Sequence, residues 1–244
     1  MEAEARYEAE TAFGPVHMWG RDTGRPVLFA VAGAFAHPTY LHLLQTRFPH
    51  VDLWRTHLPG NHCPPLVSTS VGVFGAAYSQ ALSDRLGDRP AVVVGTSVGA
   101  LVALALATPG IVGTVAVEPP LRTGDAWPLR AYPAKAPAGS ETFLWNVLGV
   151  SRDGHEPRDY SGLVDRISRP TTVLVGSEPL LPERPTRVTP SFVDEESRRL
   201  LRSHPLVELV ECEGAGHNVP KLTPRPMLLA IRDAILRTGA GAPA

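Results

Sequence analysis

The sequence predicts an α/β protein, a mostly parallel β-sheet flanked by helices on both faces. Three observations carry that reading. Short apolar, β-rich runs alternate with segments of helical periodicity along most of the chain. Ala91 to Val117 contains no charged residue, as expected of strands whose two faces are both covered. The 244 residues, 43% hydrophobic and 19% charged, suffice to bury a substantial core.

Taken in order, Tyr7 to Thr11 and Val16 to Trp19, separated by Gly14-Pro15, read as an N-terminal hairpin. Val27 to Val31, ending near Gly33, reads as a buried strand. Pro38 to Phe48 carries Leu41, Leu44 and Phe48 at helical spacing, and Val51 to Trp54 reads as the next strand. Val71, Phe74, Tyr78, Leu82 and Leu86 predict a helix over 71–86. Ala91 to Val94, Val98 to Ala107 and Ile111 to Val117 predict a strand, a helix and a strand. Thr171 to Val175 and Val207 to Val210 are two further strands. Thr189-Pro190 between them predicts a helix start, with Thr as cap and Pro at the first helical position. The last helix spans Pro226 to Arg237. Residues 121–163 hold Trp127, Tyr132, Phe143 and Trp145 without clean periodicity. They read as a cap inserted into a core of residues 1–120 and 164–244.

Composition narrows the function classes. A net charge of −1 provides no field for attracting nucleic acid or an anionic membrane. Two cysteines, Cys63 and Cys212, do not make a secreted disulfide framework and read as reduced thiols. The acidic start, Met1-Glu2-Ala3-Glu4, lacks the order of a signal peptide and leads us to expect a cytoplasmic protein. The uncharged stretch 91–117 is long enough to mimic a membrane span. Gly95-Thr96-Ser97 and Thr108-Pro109-Gly110 break it into pieces of strand and helix size, so no membrane span is expected.

The chemistry centres on Gly95-Thr96-Ser97-Val98-Gly99, a G-x-S-x-G motif led in by a strand and led out by a helix. A turn that sharp strains the serine backbone and presents its hydroxyl at a helix N-terminus, where negative charge is favoured. A serine hydroxyl needs a base to take its proton. His217, reached through Glu213-Gly214-Ala215-Gly216 after the last strand, is the histidine that arrives at the same sheet edge. The orienting carboxylate is expected after the penultimate strand, where Gly176-Ser177-Glu178-Pro179 offers Glu178.

From Val16 to the last helix, this pattern resembles the α/β-hydrolase superfamily. His57-Leu58-Pro59-Gly60-Asn61-His62 is similar to the D-L-P-G-H-G turn of many members, and Ala32-Gly33-Ala34 occupies the place of their H-G-x oxyanion segment. The resemblance implies oxyanion donors at Ala34, or alternatively Phe35, and at Val98. It also implies a Ser-His-acid triad that hydrolyses a small-molecule ester or related acyl bond without a cofactor or metal. The family offset for the acid falls on Pro179 rather than Glu178. Because some members carry the acid after the strand that follows the elbow helix, Glu118 in Val117-Glu118-Pro119 is the alternative. Serine at position 97 argues against the dehalogenase and epoxide hydrolase branches.

Other readings are weaker. No G-x-G-x-x-G supports dinucleotide binding, and His57, His62 and Cys63 lack the spacing of a metal hydrolase. A slow, receptor-like ligand binder on the same fold stays open. So do thioester, lactone and carbon–carbon substrates, and the oligomeric state.

Overall fold

The computed structural model describes residues 4–126, 140–181 and 189–239. Its centre is an eight-stranded sheet in the order β1-β2-β4-β3-β5-β6-β7-β8. The strands are β1 Ala5–Ala9, β2 Val16–Gly20, β3 Val27–Val31, β4 Asp52–Thr56, β5 Ala91–Thr96, β6 Ile111–Val117, β7 Thr171–Gly176 and β8 Val207–Cys212. The expected hairpin is β1–β2; it pairs antiparallel, and β2 pairs antiparallel with β4. All remaining pairings, from β4 through β3 to β8, are parallel. The C-terminal ends of β3, β5, β6, β7 and β8 therefore open along one edge, with β5 central.

The period-two alternation of strands sorts their side chains between two cores. Val27, Phe29 and Val31 of β3 face one apolar cluster, with α2 (Val71–Leu86) and α3 (Val98–Ala105). Leu28, Ala30 and Ala32 face the other, with α1 (Leu43–Arg47) and α7 (Pro224–Leu236). The uncharged run 91–117 is thus β5, α3 and β6, a buried strand-helix-strand unit. Among the described residues no helix is long and apolar enough to cross a membrane.

Some elements differ from expectation. Pro38–His42 is a 3-10 helix and only Leu43–Arg47 is α-helical. Thr189-Pro190 starts no helix. Helix α5 (Glu195–Ser203) begins instead at Asp194, whose side chain accepts from Ser197 N at 2.6 Å. The Thr-Pro signal was overridden because the Thr189 carbonyl is engaged elsewhere, as shown below. In the 121–163 segment, helix α4 (Ser140–Leu148) buries Phe143, Leu144, Val147 and Leu148 in the α2–α3 cluster. Trp127 and Tyr132 lie outside the described residues.

Candidate active site

Ser97 sits between β5 and α3 at φ 55°, ψ −123°, in the left-handed half of backbone space. Such a conformation costs a non-glycine residue about 1–3 kcal/mol and persists only where the surroundings enforce it. Here β5 and α3 are both anchored, and the turn between them leaves no room for Cβ atoms. A Cβ on Gly95 would stand 2.1 Å from the Gly99 carbonyl oxygen, and one on Gly99 2.4 Å from that of Ala32. The glycines of the motif are packing requirements of this elbow.

The Ser97 hydroxyl donates to His217 Nε2 at 3.0 Å, and His217 Nδ1–H donates to a carboxylate at 3.1 Å. The carboxylate is that of Glu118. This corrects the expectation at Glu178. β6 and β7 are neighbours, so the residue just past β6 opens on the same edge as the His217 loop. Glu118 leaves the sheet at φ 54° while its N–H still donates to the Leu174 carbonyl. Its side chain is 1% exposed and turns toward the histidine. Glu178 is used through its backbone: its N–H donates to Ala215 O and its carbonyl accepts from Ser191 N. The first bond ties the loop after β7 to the loop that carries His217, and the second holds the loop after β7 together.

Glu118 is also held by donors that sequence reasoning missed. Its carboxylate accepts from Gly176 N at 2.6 Å, Ser191 Oγ at 2.8 Å and Phe192 N at 3.2 Å. Buried Arg198 donates to Ser191 Oγ at 3.1 Å and to the carbonyls of Gly176 and Val193. The guanidinium thereby leaves the Ser191 hydroxyl hydrogen free to point at the carboxylate. No local motif marks Ser191 or Arg198. Both come from the loop and helix between β7 and β8; Ser191 meets Glu118 only in the folded chain, and Arg198 acts on it through Ser191. His217 is fixed from behind as well, its N–H donating to Thr189 O at 2.8 Å and its ring 4.5 Å from that of Phe192. The chain passes so close there that a Cβ on Gly216 would stand 1.9 Å from Thr189 O.

The other predicted groups lie on the far side of Ser97. A Cβ built on Gly33 would be 3.4 Å from Ser97 Cβ, which puts the loop after β3 against Ser97. Among the described residues, the N–H groups of Ala34 and Val98 have no hydrogen-bond acceptor. Phe35 differs: at φ 59° its N–H donates to Asn61 Oδ1 at 2.8 Å. Asn61, from the His57–His62 turn, also donates to Leu58 O and so ties the two loops together.

Ser97 and His217 line a cavity of about 820 Å³. Its described walls come largely from the 3-10 helix Pro38–His42, α1, α6 (Val219–Leu222) and α7. No described residue of the 121–163 segment lines it, although Phe143 of α4 packs on Phe35 with ring centroids 5.3 Å apart. The Tyr40 hydroxyl is hydrogen-bonded to Thr96 Oγ1 at 2.9 Å, and burial pushes its phenol above the ordinary value. Cys63 and Cys212 are both free. Among the described residues no group of three or more His, Cys, Asp or Glu is placed to hold a metal ion.

Comparison with known proteins agrees with this architecture. Carboxylesterase CesB of Bacillus subtilis superimposes with a TM-score of 0.71 at 14% identity, covering 96% of this chain and 92% of that one. An esterase of Pyrococcus furiosus gives 0.67 at 17% identity, covering 96% and 92%. A thermophilic esterase of Thermogutta terrifontis gives 0.67 at 18% identity, covering 96% and 99%. At these identities the likeness is one of fold. None of the curated proteins matches the chain by sequence. The model of the alpha/beta hydrolase family does match, over residues 15–227. An elbow serine on the central strand, a histidine after the last strand and a sheet of this order are thus found in a chain that belongs to the alpha/beta hydrolase family.

Proposed function

We propose that the chain is a serine esterase, with Ser97 as nucleophile, His217 as general base and acid, and Glu118 as the carboxylate that orients His217. The observation that carries this reading is the hydrogen-bonded line Ser97–His217–Glu118 at the wall of an apolar cavity. His217 with its proton on Nδ1 leaves Nε2 free to accept from Ser97. As Ser97 Oγ bonds to the ester carbonyl carbon, its proton passes to Nε2 and the carbonyl oxygen becomes an oxyanion. The N–H groups of Ala34 and Val98 are the donors for that charge, a contribution commonly worth about 3–4 kcal/mol per donor. The imidazolium then gives its proton to the departing alkoxide, leaving an acyl-serine. Water repeats the sequence, losing a proton to His217 and releasing the acid and free Ser97.

In this reading residues 1–120 and 164–244 are the hydrolase core and 121–163 a cap inserted between adjacent strands β6 and β7. The Phe143–Phe35 contact supports a role for the cap in bracing the oxyanion loop. A fluorophosphonate probe and p-nitrophenyl esters of graded chain length test the assignment. Wild type takes the label on Ser97 and turns over the esters, whereas Ser97→Ala takes no label and loses roughly three to six decades in kcat. Equal labelling of the two proteins overturns it.

A further inference from the structure

The cavity lining is mostly apolar, with polar groups at Tyr40, Thr96, Thr189 and Asn218 and two cations, Arg47 and Lys221, besides Ser97 and His217. Tyr40, bonded to Thr96 beside the nucleophile, begins one wall, which continues through Leu41 and Leu44 to Arg47. From α6 and α7 the lining takes Lys221, Pro224, Met227 and Leu228. Lys221 is one of only two lysines in the chain. Apart from His217, Arg47 and Lys221 are the titratable charged groups among the described lining residues, and none of those residues is Asp or Glu. Both cations are solvent-exposed, and neither has a hydrogen-bond or ion-pair partner for its side chain among the described residues. The chain as a whole is nearly neutral at −1, so this is a local arrangement and not a basic surface.

From these placements we infer that the cavity selects an ester bearing an anionic group, such as a carboxylate, at the end of a medium-length apolar chain. The inference rests on the esterase reading of Ser97 and names its substrate class. Tyr40 and Arg47 are seven residues apart along a 3-10 turn and a helical turn. At about 1.5–2.0 Å of rise per residue, Arg47 stands roughly 10 Å further along the wall than the Tyr40–Thr96 contact. The apolar residues Leu41 and Leu44 between them suit methylene groups, and the two cations of the lining suit a charge at the far end. Among the described lining residues a negative substrate meets no like charge, and the two exposed cations attract it as surface charges do, in a salt-dependent way. A neutral ester of the same length gains only the apolar contacts.

The experiment compares kcat/KM for mono-p-nitrophenyl succinate, adipate and suberate with neutral p-nitrophenyl alkanoates of matching length. A second arm places the carboxylate on the alcohol side, as acetate esters of ω-hydroxyalkanoic acids against alkyl acetates. The expected result is a preference for the charged ester in one arm, greatest at adipate or suberate and weakening with added salt. That ratio should fall about 3- to 10-fold in Arg47→Gln and in Lys221→Gln, as expected for charge pairs near a surface. Arg25→Gln, at the opposite edge of the sheet, should leave the ratio unchanged. A ratio at or below one in both arms, or one that neither substitution lowers, overturns the inference. If no ester turns over and Ser97 takes no fluorophosphonate, the esterase reading has failed instead. Calorimetric titration of suberate into wild type and the two variants then still decides the anion site: weaker binding in both variants upholds it, and equal binding overturns it.

Discussion

Replacing Glu118 by Gln changes one atom in the most densely hydrogen-bonded position of the site, and its consequence follows from the donors around it. One carboxylate oxygen accepts from Gly176 N and Ser191 Oγ, the other from His217 Nδ1 and Phe192 N. A glutamine has a single oxygen. If its amide nitrogen takes the place beside His217, it meets two donors, and the histidine relieves the clash by moving its proton to Nε2. The ring then has no acceptor for the Ser97 proton. If the nitrogen takes the other place, it faces Gly176 N–H and Ser191, leaving a buried donor unpaired at about 1–3 kcal/mol of stability. In both orientations the imidazolium formed in the transition state loses a buried negative partner 3.1 Å away. The expected loss is about two to four decades in kcat, or roughly 3–5 kcal/mol of transition-state stabilisation. Glu178→Gln should cost under about tenfold, because the carboxylate hydrogen-bonded to His217 is that of Glu118. The assay is p-nitrophenyl ester turnover of both variants, with circular dichroism and urea midpoints establishing the fold. A folded Glu118→Gln that keeps more than about a tenth of wild-type kcat, or a Glu178→Gln that loses two decades, would refute the argument.

Two further outcomes are expected. Asn61→Ala removes the acceptor of Phe35 N–H and frees the loop that holds Ala34. It should lower kcat by about 10-fold or more with little change in KM, since an oxyanion donor acts on the transition state; an equal rise in KM with kcat unchanged would contradict that. His57, 2% exposed and with Nδ1 unpartnered, has its pKa pushed down to about 4 by burial, with the imidazoles of His37, His62 and His17 and the Arg55 guanidinium adding to the effect. Below about pH 6.5 the unfolded chain takes up a proton that the folded chain refuses until about pH 4. Stability should therefore fall as pH drops through that window, by up to about 3 kcal/mol from this group. Urea midpoints at neutral pH and near the lower end of the window should converge more closely in His57→Gln than in wild type. An equal loss in both proteins would assign the acid sensitivity elsewhere.

What the sequence determined by itself is local in origin. The elbow, its flanking strand and helix, the alternation of β5, α3 and β6, and the glycine approach to His217 are each written within a few residues. The close contacts that require Gly95 and Gly99 lie between neighbours in the chain or on adjacent strands. The tertiary structure decided what depends on which strand ends lie side by side. Glu118 and Glu178 both precede a proline and both follow a strand, so spacing could not separate them. The pairing of β6 with β7 separates them, because it leaves the Glu118 side chain facing His217 and uses the Glu178 peptide to join Ala215 to Ser191. The same holds for the loop at Thr189, where a strong local helix signal yielded to the hydrogen bond from His217 N. It holds for Ser191, Arg198 and Asn61 too, whose partners lie 73, 7 and 26 residues away. The cavity walls followed the same rule. No spacing in the sequence marks the described lining from the Pro38–His42 turn, α1, α6 and α7, segments far apart in the chain that come together only in the fold.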